Sequence, residues 1–366
     1  MSVTERQALY KEIEAHRKRP LVAFVTSGRP GANGMMAQDA VREFADQLKT
    51  LPAGASGLDV LINSYGGDGL ASWRLVTMIR EHLGPEGELA CLVPYYAFSA
   101  ATLFAVGCDQ IVLHPMAALG PVDPQITVNR PGGLQQFAYE DVSAYTSFLK
   151  EEAGITEQPQ KSELLSQLVK QIEPSVIGAS KRASMQSIMM AERLLKLHMK
   201  GEDAAAAEVI AQKLSKNYFS HGHALGRSEA RGLGLKLAEA DPQLEDLLWK
   251  VYVEFEGEMR MNKQFDPSME YLADPGAAPL LAAPPFVNVP SNAPPQVVQQ
   301  IWNQVMQASA TSQGPVLDFE LVHAAVESSR LATRFVTRGK IFGARQPDLN
   351  FRIAAPKLAA GWEPSR

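Results

Sequence analysis

Four short apolar runs, separated by segments with helical spacing, constrain this chain more than any other feature. They are Leu21–Thr26, Leu58–Asn63, Leu89–Val93 and Gln110–Leu113. The first three are near-continuous runs of apolar residues, several of them β-branched or aromatic. That pattern suits strands buried on both faces rather than alternating half-exposed ones. Between the runs, residues 37–50, 70–83 and 99–106 carry apolar residues at helical spacing, and an amphipathic helix over residues 4–18 opens at Thr4 with Glu5 in its first turn. Strands alternating with helices predict an α/β domain whose strands are largely parallel.

Beyond residue 136 the character changes. Residues 137–200 read as helical, with an apolar, Met-containing stripe over 185–199 that predicts a packing face. Further helices are expected over 203–214 and 242–258. A Pro/Ala-rich stretch, 272–296, predicts an extended linker or an arm wrapped on a neighbour. Residues 296–309 and 317–335 read as helical, and the tail from Gly339 shows no clear period. The expected division is therefore a core over 1–136, a helical region over 137–258, and an arm with a C-terminal extension over 259–366.

Two loops carry chemistry. The first, Asn63-Ser64-Tyr65-Gly66-Gly67-Asp68-Gly69, follows a strand and opens a helix. Paired glycines permit backbone dihedrals closed to other residues and leave N–H groups uncovered for an anion. No Gly-Lys-Ser/Thr follows, so it is not a nucleotide-binding P-loop. The second, Val93-Pro94-Tyr95-Tyr96-Ala97-Phe98-Ser99-Ala100-Ala101-Thr102, places a serine at the mouth of a small-residue helix. Ser99 is either an ordinary N-cap or a nucleophile whose developing oxyanion faces the N–H of Ala100. The small Ala97, Ala100 and Ala101 leave room for a substrate backbone.

A diglycine turn after one strand and a small-residue serine helix after the next resemble the Clp protease proteolytic subunit, signal peptide peptidase A and the crotonases. The serine dehydrogenase proteinase family is the closer resemblance. It rests on the Val93–Thr102 loop, on Gly107-Cys108-Asp109-Gln110-Ile111-Val112-Leu113, and on Leu119-Gly120-Pro121-Val122-Asp123-Pro124-Gln125. A His-containing turn at His221, before a helix ending Leu233-Gly234-Leu235, extends it, so that it covers roughly residues 20–240. The chain departs from the family in having Ala101 where glycine is usual. The resemblance implies a Clp/crotonase-like ββα superhelix with an added helical region and a C-terminal extension. It also implies a serine peptidase with Ser99 as nucleophile, the N–H groups of Gly66 or Gly67 and of Ala100 as oxyanion donors, a polypeptide substrate and a homo-oligomer. No nicotinamide fingerprint is present, so the family name implies no dehydrogenase here.

The general base stays open between two residues. Lys181, after Gly178-Ala179-Ser180 and before the 185–199 helix, stands where signal peptide peptidase A keeps a lysine base; it would have to be neutral, which burial favours. His221, with His223 as a stand-in, can act as a base near neutral pH. Asp123 is placed to orient a base, bind a substrate N–H or cap its turn, while His114 reads as structural. Two other functions fit the same fold: an acyl-CoA enzyme of the crotonase type and a non-catalytic scaffold subunit.

Composition closes off other classes. A net charge of −5 without a basic stripe argues against a nucleic-acid partner. Cys91 and Cys108 are too few for a disulfide framework, and no His/Cys or carboxylate cluster has metal-ligand spacing, so neither a metal nor any other cofactor is expected. The N-terminus lacks an apolar signal region and no run of about 18 apolar residues occurs, so neither export nor a membrane anchor is expected and the compartment is the cytoplasm.

Overall fold

The computed structural model describes residues 3–130, 133–201, 203–218, 220–281, 288–308, 312–346 and 350–365. In its first third, strands and helices alternate as the apolar runs predict. Helix α1 (Val3–Arg17) leads to β1 (Leu21–Thr26), α2 (Ala40–Lys49) to β2 (Gly57–Asn63), and α3 (Gly69–Leu83) to β3 (Glu88–Val93). A two-residue strand β4 (Tyr96–Ala97) and helix α4 (Ala100–Val106) precede β5 (Gln110–Leu113), and β6 (Ala118–Leu119) returns beside β4. Strands β1, β2, β3 and β5 run parallel in that order.

Each of the parallel strands is buried on both faces. On one side, Phe24, Val60, Ile62, Cys91 and Val93 pack against α2, α3 and α4. On the other, Ala23, Val25, Leu61 and Leu92 pack against Tyr10 and Ile13 of α1 and against Leu248, Val251 and Phe255 of α10 (Pro242–Glu258). Two helical layers around one sheet account for the lack of polar alternation in these strands.

After β6 comes an antiparallel hairpin, β7 (Gln125–Arg130) and β8 (Gly133–Ala138), followed by α5 (Tyr139–Glu151), α6 (Gln158–Gln171) and α7 (Pro174–Leu195). The long helix therefore begins eleven residues before the expected 185–199 segment, with Pro174 at its first turn, where a missing N–H costs nothing. Helices α8 (Asp203–Lys216) and α9 (Arg227–Gly232) complete the region before α10.

The C-terminal part departs most from expectation. Helix α11 (Pro267–Leu272), a 3-10 turn (Pro275–Ala277) and α12 (Ala278–Leu281) occupy the start of the Pro/Ala-rich stretch. They are not extended, because Asp274 accepts from Gly276 N at 2.8 Å and Tyr271, Ala277 and Leu280 bury against Ile341. Residues 282–287 of that stretch lie outside the described residues. Helix α13 (Pro295–Ala308) forms where a helix was expected. Residues 317–335 do not: they belong to β9 (Ser312–Glu327) and β10 (Ala332–Arg345), with β11 (Phe351–Ala354) and β12 (Lys357–Pro364) pairing β10. Strand β9 pairs antiparallel with β1, Ala23 opposite Glu327 and Thr26 opposite Ala324, so the C-terminal strands extend the main sheet. The signal was present in Leu317-Asp318-Phe319-Glu320-Leu321, a strict period of two whose apolar members are the less exposed ones.

A buried ion network fastens this addition. Glu327, fully buried, accepts from Arg6 Nε at 2.9 Å, from Arg6 Nη2 at 2.8 Å and from the Tyr10 hydroxyl at 3.0 Å. Arg6 also pairs with Glu258 and lies over the Phe255 ring, 4.5 Å from its centroid.

Candidate active site

Parallel α/β sheets gather their ligands beyond the carboxyl ends of the strands. Here the loops leaving β2 and β3 meet at that edge. Ser64 N donates to Tyr96 O, Phe98 N donates to Ser64 O, and Tyr96 N donates to the Asn63 side chain at 3.1 Å. Thr102 ties the serine loop down from the other side, its hydroxyl donating to Ala97 O at 2.6 Å and accepting from Gly120 N at 3.0 Å.

Ser99 sits directly before α4 with φ 51° and ψ −115°, and its side chain makes no capping bond. The N-cap alternative therefore has no hydrogen bond to support it. A non-glycine residue in that region costs roughly 1–3 kcal/mol and persists only where its surroundings enforce it. The enforcing neighbour is Gly66, with φ +100°: a Cβ there would lie 2.5 Å from Phe98 O and 2.8 Å from Ser99 Cβ. Only glycine lets the two loops approach this closely.

The two glycines divide their roles. Gly66 N donates to Ser64 Oγ at 3.1 Å, and Ser64 in turn accepts from Thr26 Oγ1 at 2.8 Å. The Gly66 N–H thus points to Ser64 rather than into the cleft's open space. Gly67, with φ +144°, is fixed by a parallel bridge to Met36 and lines the cleft together with Ala100.

The cleft has a volume of about 360 Å³. Ser99 and His221 share it, with Leu70, Leu103, Val122 and Met190 supplying apolar wall and Gln125, Gln136 and Gln186 supplying neutral polar groups. Asp68 also lines it, but its carboxylate is occupied: Oδ1 accepts from Leu70 N at 2.8 Å and Oδ2 from Gln38 at 2.9 Å.

His221 Nδ1 lies 2.8 Å from Asp123 Oδ1. The Asp123 hydrogen bond raises the imidazole pKa above its ordinary value, against an opposing effect of partial burial. In the tautomer where Nδ1–H donates to Asp123, the Nε2 lone pair is left free. The two residues are 98 positions apart, so no local spacing announces the pair. Asp123 reaches the site because Val122 is clamped: its N donates to Leu214 O at 3.0 Å, and its O accepts from Ser187 at 2.5 Å.

Lys181 is placed elsewhere. It lies inside α7 rather than before the helix, is exposed, and points its Nζ over the Tyr139 ring at 5.9 Å from the centroid. It is not among the residues lining the cleft. His223 pairs with Glu229 at 3.2 Å, and His114 stacks on Trp249 at 5.2 Å. Among the described residues, no group of three or more His, Cys, Asp or Glu side chains could hold a metal ion. Nor is any helix among them long and apolar enough to cross a membrane.

Residues 36–142 match the family model of ClpP-like SDH-type serine proteinases, the family that the loop motifs resemble. The match spans both loops, Ser99 and Asp123, and with the parallel-rich α/β sheet it bears out the Clp/crotonase-like fold. Two uncharacterized proteins of Methanocaldococcus jannaschii are similar in sequence. One is 27% identical over 198 residues, 53% of this chain and 56% of its own; the other is 38% identical over 69 residues, 19% and 23% respectively. This chain thus spans about half the length of the first and under a quarter of the second.

Among solved structures, two mutants of the 1510-N membrane-bound stomatin-specific protease are similar. They have TM-scores of 0.35 and 0.36 and identities of 14% and 15%; each covers 62% of this chain, and 82% and 77% of its own. The second of them holds a substrate peptide. A probable enoyl-CoA hydratase/isomerase from Mycobacterium abscessus is similar at a TM-score of 0.29 and 14% identity, over 80% of this chain and 88% of its own.

Proposed function

We propose that this protein is a serine peptidase in which Ser99 is the nucleophile, His221 the general base and Asp123 the group that orients it. The observation that carries the assignment is the 2.8 Å His221–Asp123 bond at the rim of the cleft that Ser99 lines. It fixes the tautomer a base needs, and it favours His221 over Lys181. In the reaction, His221 Nε2 accepts the Ser99 proton as Oγ bonds to the substrate carbonyl carbon. The oxyanion formed is held by the N–H groups of Gly67 and Ala100. The proton then passes to the departing amine as the peptide C–N bond breaks. Water, deprotonated by the same imidazole, hydrolyses the acyl-enzyme and regenerates Ser99.

Exposed side chains support self-association as part of the same proposal: Phe148 on α5, Leu165 on α6 and Trp302 on α13 stand in solvent. Light scattering across a concentration series tests it, with a monomer at all concentrations as the contrary result.

The test of catalysis is hydrolysis of casein and of a fluorogenic peptide library by the full chain, its Ser99→Ala variant and its His221→Ala variant. Loss of turnover in both variants, with unchanged circular dichroism, is the expected result. Undiminished hydrolysis by Ser99→Ala would overturn the assignment.

A further inference from the structure

Helix α3 leaves the diglycine bend, and one turn into it stands Ser72, fully buried. A serine inside a helix often turns its hydroxyl back to a carbonyl of its own preceding turn. The Ser72 hydroxyl leaves its helix instead. Its Oγ donates to Ala100 O, on the first residue of α4, at 2.5 Å, and lies 2.8 Å from Met36 Sδ. The hydroxyl has one proton, and a carbonyl accepts it better than a thioether does. The bond therefore joins α3 to α4, with the Met36 side chain packed on the same oxygen.

The residues that meet at this hydroxyl govern the two amides of the proposed oxyanion site. Met36 N donates to Gly66 O at 2.7 Å, and Met36 O accepts from Asp68 N at 2.8 Å. In a trans peptide the C=O and N–H point in opposite directions. With Gly66 O turned to Met36, the Gly67 N–H of the same peptide unit is turned away from Met36, on a residue that lines the cleft. Met36 thus sets the direction of one donor. The other is Ala100 N–H. The carbonyl of that residue is held by Ser72, and the carbonyl before it, Ser99 O, accepts from Leu103 N at 3.0 Å. Ser72 keeps its own place relative to the bend, its N–H donating to Asp68 O at 3.3 Å. Met36, Ser72 and Ala100 are each at most 1% exposed, so these contacts are sheltered from water.

From these bonds we infer that Ser72 is a positioning residue for the oxyanion site: its one hydroxyl holds the Ala100 peptide against the Met36 side chain and so sets the spacing of the Gly67 and Ala100 N–H groups. The inference rests on the peptidase reading and adds to it a residue outside the cleft, since Ser72 is not among those that line it. The two donors belong to different loops, and a developing oxyanion draws on both at once. A tie behind the cleft fixes their separation before any substrate arrives. Because the charge they meet appears only in the transition state, loosening the tie costs turnover rather than substrate binding.

The test compares the full chain with its Ser72→Ala variant. Against a fluorogenic peptide, kcat is expected to fall about ten- to hundredfold, less than the loss from deleting a donor outright, with KM within about twofold. The Ki of a peptide aldehyde, whose tetrahedral adduct with Ser99 places an oxygen in the oxyanion site, should rise by the same factor as kcat falls. The acid limb of the pH–rate profile should stay in place, because the His221–Asp123 pair is untouched. Partial unfolding lowers kcat and leaves Ki alone, so a fall in kcat with an unchanged Ki would overturn the positioning role, as would undiminished kcat. Hydrogen exchange read by mass spectrometry follows the tie without turnover. Segments 64–70 and 98–105 should both exchange faster in the variant, and 210–225 should not. Unchanged exchange in either loop would overturn the tie. Faster exchange in both loops of a chain that, unmodified, cleaves no peptide would uphold the tie and sink the peptidase reading alone.

Discussion

Replacing Glu327 by alanine tests whether the C-terminal strands belong to the same folding unit as the parallel sheet. Glu327 is fully buried in β9 and is the acceptor for two bonds from Arg6 and one from Tyr10. The substitution leaves the buried Arg6 guanidinium with Glu258 as its remaining carboxylate. Removing one partner of a buried ion pair costs roughly 3–5 kcal/mol, because the other charge stays out of water with only the partly exposed Glu258 left to balance it. Losing the acceptor for Tyr10 adds about 1 kcal/mol, so a total near 4–6 kcal/mol is expected. Set against a typical unfolding free energy of about 5–15 kcal/mol, that is a large share. Urea denaturation followed by circular dichroism measures it, with Tyr10→Phe as a control expected to cost about 1 kcal/mol. The sheet continues from β5 through β1 into β9 and β10, so the loss should appear as a shift of the main transition. A change below about 1 kcal/mol, or a separate early transition with the rest unmoved, would refute the reasoning.

The remaining expectations concern the cleft. Asp123→Asn removes the charge that raises the His221 pKa, so the acid limb of the pH–rate profile should move to lower pH while turnover at neutral pH falls by about 10³–10⁴-fold; an unmoved limb excludes His221 as the base. The same raised pKa stabilises the fold at pH below the imidazole's unfolded value, and this contribution fades as pH rises through the folded value; chemical denaturation of Asp123→Asn across that range should show the loss at the acidic end only. Lys181→Ala should leave turnover within about twofold in the same peptide assay, because the side chain stands on the exposed face of α7; a fall of a hundredfold would restore a serine–lysine pair. Gly66→Ala should cost about 1–3 kcal/mol in urea denaturation and abolish cleavage, since its Cβ meets backbone and Ser99 rather than a yielding side chain; retained activity would contradict the close approach of the two loops.

Physical locality explains which features the sequence disclosed. The buried strands and the two loops at their carboxyl ends were legible because each depends on neighbours within a few positions: an apolar run, a diglycine turn, a serine before small residues. The division of labour between Gly66 and Gly67 was not, since it turns on Ser64 accepting from Thr26 of another strand as well as from Gly66. The base was ambiguous for the same reason: Lys181 and His221 each suit a local motif, and only the course of the chain after β6 brings Asp123 to one of them. The misread 317–335 segment had a different cause. Its next five residues, Val322-His323-Ala324-Ala325-Val326, include good helix formers and, from Ala324 on, are buried without alternation, whereas the five residues before them alternate strictly. Alternation begins where β9 leaves β1 and one face turns to solvent, and it fades where β9 enters the sheet and both faces are covered. The change of pattern within one strand thus marks, in the sequence itself, the point at which β9 parts from β1.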